Sequence, residues 1–149
     1  MFSVSFVKRL ILQSCVVSVV IGMRAELLES SVDDVTVTED RIVSQWRKVS
    51  ADEQHQLCEQ FDEILRPLGL QTRLLVVERA NSLALLFTCL TLSALMSLRD
   101  QWRSRRLRDI VQSLFRLLSG SSLLHVKRLI WPVTDYERCV NFFTSQQSK

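Results

Sequence analysis

Apolar positions along the chain recur mostly at helical spacing. Ile42, Trp46 and Val49, followed by Leu57, Phe61, Ile64 and Leu65, share one face of a helical span over residues 39–65. Thr38 is suited to cap its first turn, and Ser50-Ala-Asp-Glu53 has the form of a capping box, so the span is one helix or two with a break at Ser50. Pro67 and Gly69 end it, and a short helix is expected over 72–79. Leu83 to Leu98 is apolar on nearly every side, which for a helix means the middle of a protein or a membrane. Its length of about 24 Å falls short of a hydrocarbon core of ~30 Å, so it reads as a central core helix between Glu78-Arg79 and Arg99-Asp100.

Ser104 to Leu118 is amphipathic, with Leu107, Ile110, Val111, Leu114, Leu117 and Leu118 inward and Arg105, Arg106, Arg108, Asp109, Gln112 and Arg116 outward. Ser119-Gly120 stops it. Another helix is expected from Ser121 or Ser122 to Trp131, closed by Pro132, and Thr134-Asp-Tyr-Glu137 is a second capping box opening a last helix through Phe143. The expected fold class is therefore all-α, seven or eight amphipathic helices around one buried central helix.

The ends of the chain read differently. Residues 1–24 begin with Lys8 and Arg9 and continue as an apolar run to Met23, which suits a buried first helix or a signal or anchor segment. Residues 25–40 hold six acids and no base, with valines alternating against polar residues. That alternation permits a short strand, but a strand without a partner segment is not stable, so an acidic loop is expected. The organisation is then a first helix or hydrophobic segment (1–24), an acidic loop (25–40), a helical bundle (41–143) and a polar tail (144–149).

Composition adds limits. At 149 residues, 47% apolar, with 3 Gly and 2 Pro, the chain has room for one domain with a real core and is neither collagen-like nor a disordered polar tract. Cys15, Cys58, Cys89 and Cys139 are widely spaced, which excludes a C-x-x-C metal or redox pair and points to buried thiols. His55 and His125 lie on different predicted helices, and neither G-x-S-x-G nor a glycine-rich phosphate loop is present, so no catalytic residue, metal or cofactor is expected. Leu, Ser and Arg make up 57 residues, a bias common in compact viral reading frames.

The net charge of +3 conceals a split, with residues 25–64 at −8 and residues 65–149 at +8. Such halves can neutralise each other on folding or mark contact with an anionic partner. The densest cations are Arg99, Arg103, Arg105, Arg106 and Arg108, with Trp102 among them. This patch suits phosphates or anionic lipid; it equally suits a solvated helix start or a partner for the acidic loop. Basic residues near a helix N-terminus oppose its dipole, which favours some anionic partner. Leu114-Phe-Arg-Leu-Leu118 has the L-x-x-L-L spacing of groove-docking peptides, but its leucines are needed inside.

Three further segments go together. Trp46-Arg-Lys-Val-Ser-Ala-Asp52 with Phe61, Asn81-Ser-Leu-Ala84, and Trp131 through Tyr136 to Phe142-Phe143 resemble, in that order, the third, first and second homology motifs of the B-cell lymphoma 2 family of apoptosis regulators. The chain departs from the family pattern where Trp46 replaces a leucine, Asp52 sits one place late, and only the asparagine of Asn-Trp-Gly-Arg is kept. The resemblance implies a helical bundle with a hydrophobic groove lined by Val49, Phe61, Leu65, Leu70, Leu74, Val77 and Leu85, with Arg79 and Asn81 orienting a ligand's polar side. It implies a viral inhibitor of cell death that holds the amphipathic death-motif helix of host pro-apoptotic proteins. Its expected place is the host cytoplasm or the periphery of the mitochondrial outer membrane, with a homodimer as a further option. The rival reading is an unrelated helical accessory protein that binds a host signalling protein or an anionic surface through the Arg-rich helix, with nucleic acid not expected.

Overall fold

The computed structural model describes residues 18–29, 35–51, 55–80 and 82–147. Their order is β1 (Val19–Glu29), α1 (Val35–Ser50), α2 (His55–Leu65), a 3-10 turn (Arg66–Leu68), β2 (Thr72–Arg79), β3 (Leu83–Cys89), α3 (Leu92–Arg103), α4 (Arg106–Ser119), β4 (Leu124–Ile130) and α5 (Val133–Gln147). The four strands form one antiparallel sheet in the order β2-β3-β1-β4.

Alternation along β1 turns Val19, Ile21, Met23 and Ala25 into the core, while Val20 and Arg24 point out. β3 pairs with β1 on one side and β2 on the other, and Leu83, Leu85, Phe87 and Cys89 are buried along its inner face. Against that face pack Ile42, Trp46 and Val49 of α1, Cys58, Phe61 and Leu65 of α2, Leu95 and Leu98 of α3, and Leu107, Val111, Leu114, Phe115 and Leu118 of α4. The amphipathic α4 lies between the other helices and β4, and its C-terminus closes at Gly120 in the left-handed conformation. α5 lies beside the stretch of β1 that runs on past the end of β4. There Asp135 accepts the Gly22 N–H at 3.3 Å, and the Arg138 guanidinium donates to the Val20 carbonyl at 2.6 Å. A strand edge that would lie open is covered in this way by a helix.

The all-α bundle is therefore overturned: the described residues form a sheet of four strands packed with five helices. The expected central helix over Leu83–Leu98 divides into β3 and α3. Thr91 caps the start of α3, its hydroxyl oxygen accepting the Ala94 N–H at 3.1 Å. The expected helices over 72–79 and from 121 to 131 are strands β2 and β4. The acidic loop is in part strand as well, since β1 runs through Glu29 and finds two partners, β3 and β4. The break at Ser50, the stop at Ser119-Gly120 and the boundary at Pro132 stand where the sequence places them. The question of what residues 1–17 form lies outside the described residues.

Candidate functional site: a basic groove at the elbow between α3 and α4

Only Ser104 and Arg105 separate α3 from α4. So tight a reversal needs a left-handed residue, and Arg105 adopts it at φ 70°, ψ 5°, the one non-glycine residue with positive φ among the described residues. Arg105 is also the N-cap of this 14-residue helix α4, and its side chain makes no capping hydrogen bond to the first N–H groups.

Three side chains hold the elbow and α4 against the outer edge of β4. The Trp102 indole donates to the Leu129 carbonyl at 2.9 Å, Gln112 accepts the Val126 N–H at 2.9 Å, and Arg116 donates to the Leu124 carbonyl at 2.8 Å. Each covers a backbone group that an edge strand leaves unpaired. Trp102 stands edge-on to Trp131 at 6.2 Å, and Trp131 in turn to Tyr136 at 5.4 Å. Asp135 accepts the Trp131 indole N–H at 3.0 Å, and its hydrogen bond to Arg138, above all, holds that guanidinium's pKa up.

Between the elbow and β4 this leaves a groove of about 550 Å³, lined by Trp102, Arg103, Arg105 and Arg108 from one side and by Lys127 to Trp131 from the other. Among the described residues, Arg103, Arg105 and Lys127 have no carboxylate partner. Arg108 reaches only its neighbour Asp109, at 3.4 Å, and its Nε is buried without a hydrogen-bond partner. Of the groove cations Arg128 is well paired, its Nε and Nη2 donating to the two Glu26 carboxylate oxygens at 2.8 and 3.0 Å. The two oppositely charged halves of the chain do meet at Arg128–Glu26 and at Arg79, which pairs with Glu39 and Asp40. At the elbow they do not.

The Arg-rich patch is thus divided by the fold. Arg103, Arg105 and Arg108 face the groove. Arg106 lines a second concavity with Asp100 and Asp109, and Arg99 lies over the Tyr136 ring at 4.0 Å. Lys127 and Arg128 complete the groove and are not among the cations that the sequence singles out, and Trp131, which the sequence places in a homology motif, lines it as well. The polar positions of β4 were the available signal, hidden by reading that segment as a helix.

The residues assigned to a death-motif groove are not brought together as one. Val49, Phe61, Leu65, Leu74, Val77 and Leu85 are buried side chains of the common core. Leu70 is 83% exposed in the turn entering β2, Arg79 is tied to α1, and Asn81 lies outside the described residues. Among the described residues there is no group of three His, Cys, Asp or Glu side chains able to hold a metal ion, and no helix is long and apolar enough to cross a membrane. Burial pushes the Cys89 thiol up to about 11, against a lowering hydrogen bond from Thr72, and burial raises the Cys139 thiol too, which makes both poor nucleophiles.

Comparison with protein-family models, curated proteins and solved structures gives no match.

Proposed function

We propose that the protein is a binding module that captures an acidic, phosphate-bearing segment of a partner protein in the elbow groove. The observation that carries this reading is the convergence of five cationic side chains, three of them without a carboxylate partner, on one concavity at the uncapped N-terminus of α4. Four of the five are arginines, whose planar fork matches phosphate oxygens in pairs. Free N–H groups at a helix N-terminus add donors and a favourable dipole. The same cations repel one another and oppose that dipole, a strain that a bound anion relieves.

Two features favour a peptide over other polyanions. The groove is concave, whereas a bilayer presents its headgroups on a flat surface. Trp131 is buried, and Trp102 is spent on the Leu129 carbonyl and on Trp131, so neither indole is laid open as a platform for stacking bases. The apoptosis-regulator reading has less to support it, because six of its nine groove residues are core.

The test is fluorescence anisotropy with a labelled acidic peptide carrying phosphoserine, its unphosphorylated form, a single-stranded RNA oligomer, and phosphatidylserine vesicles. The phosphopeptide is expected to bind most tightly, and Arg103→Glu with Arg105→Glu to weaken it at least about tenfold. Equal binding of all polyanions, preference for RNA or vesicles, or indifference to the charge reversal overturns the proposal.

A further inference from the structure

Strict alternation along β4 would turn one of the consecutive cations Lys127 and Arg128 into the core. The pairing of β1 with β4 prevents this. Glu26 pairs with Arg128 and Leu27 with Val126, so Lys127 has no partner residue on β1 and β4 bulges there. The bulge leaves both cations exposed between the buried Val126 and Leu129, and both line the elbow groove. The same register sets Glu26 directly opposite Arg128.

Arg128 Nε and Nη2 donate to the two Glu26 carboxylate oxygens, which takes up the two-pronged edge by which an arginine grips a phosphate. The pair is exchangeable. The Arg128 and Glu26 side chains are 63% and 25% exposed, and an ion pair at the water boundary is held weakly. What displaces Glu26 is set by charge. A ligand carboxylate makes one ion pair of the kind it breaks, and gains nothing at this position. A phosphoserine carries about −1.5 to −2 charges at pH 7 and three acceptor oxygens, so it draws Arg128 away from Glu26 with a net gain.

We propose that Glu26 is a specificity-determining residue of the elbow groove, an internal counter-ion on Arg128 that a phosphate displaces and a carboxylate does not. An acidic segment without phosphate then meets four cations, Arg103, Arg105, Arg108 and Lys127, and a phosphorylated one meets Arg128 as well. Glu26 acts through Arg128, as a positioning residue. This role rests on the elbow groove being the binding site.

Fluorescence anisotropy of the full chain with the phosphoserine peptide, and with the same peptide carrying glutamate in its place, tests it. Wild type is expected to prefer the phosphopeptide at least about tenfold. Glu26→Gln removes the counter-charge for either ligand, so it should tighten the glutamate peptide about tenfold and the phosphopeptide no more than about threefold. The gain should vanish when Arg128→Gln is added. A gain in binding cannot come from a folding defect. A wild type without preference for phosphate, a Glu26→Gln variant that tightens or weakens both peptides alike, or a gain that persists without Arg128 overturns the proposal. A wild type that binds neither peptide overturns the groove reading and this role with it. Phosphopeptide binding that falls with Arg103→Glu and Arg105→Glu, beside glutamate-peptide binding that ignores Glu26→Gln, overturns the role of Glu26 alone.

Discussion

Replacing Arg105 separates the backbone cost of the elbow from its charge. The left-handed conformation costs a residue with a Cβ roughly 1–2 kcal/mol, and glycine almost nothing. Glycine returns about 0.5–1 kcal/mol of that through its greater freedom in the unfolded chain. Removing a positive charge from the start of α4 gains a further ~0.3–1 kcal/mol. Arg105→Gly should therefore stabilise the fold by about 1 kcal/mol, a rise in Tm of roughly 2–4 °C for a chain of this size. Arg105→Ala removes the charge but keeps the Cβ, so it should gain only the electrostatic share. Urea unfolding of the three proteins, read at constant m-value, gives the difference. Both variants should weaken phosphopeptide binding equally, because both remove one groove cation. If the alanine variant is as stable as the glycine variant, the left-handed elbow is wrong; if binding is untouched, Arg105 does not face the ligand.

Two more outcomes follow from the core and from α5. Asp135→Ala removes the acceptor shared by the Gly22 N–H and the buried Trp131 indole, so stability should fall by about 1–3 kcal/mol and the Gly22 amide should exchange faster with solvent. Cys89 titrates near 11 in the fold against 9.0 when free, so its thiol favours the folded state below pH 9.0. That contribution, about 3 kcal/mol, should be lost as pH rises from 9.0 to about 11, and Cys89→Ala should flatten the alkaline part of a stability–pH curve.

The helices were legible where amphipathic spacing and stop residues agree, as in α4 with Gly120 and in α1 and α2 with the break after Ser50. The strands were not, for a reason visible in their burial. In β2 the buried residues are Thr72, Leu74 and Val77, and in β4 they are Leu124, Val126 and Leu129. A bulge in each pairing turns the strand period of two into a spacing of two and then three, which over so short a run also fits a helix face. β3 is flanked by strands on both sides and is apolar nearly throughout, so periodicity could not separate it from a buried helix, and its leucine-rich composition favoured the helix. β1 alternates along the N-terminal run and the acidic segment, but its partners went unrecognised. The Arg-rich half of the groove was legible as charge; the half supplied by β4 required the pairing that carries Lys127 and Arg128 alongside the elbow.

The groove's role is tested most directly by nuclear magnetic resonance of the isotope-labelled chain titrated with the phosphoserine peptide. Amide shifts should concentrate at Arg103 to Arg108, with the α4 N-terminal amides moving furthest, and at Lys127 to Trp131. Shifts that fall elsewhere, or none with a peptide that binds by anisotropy, would contradict the assignment.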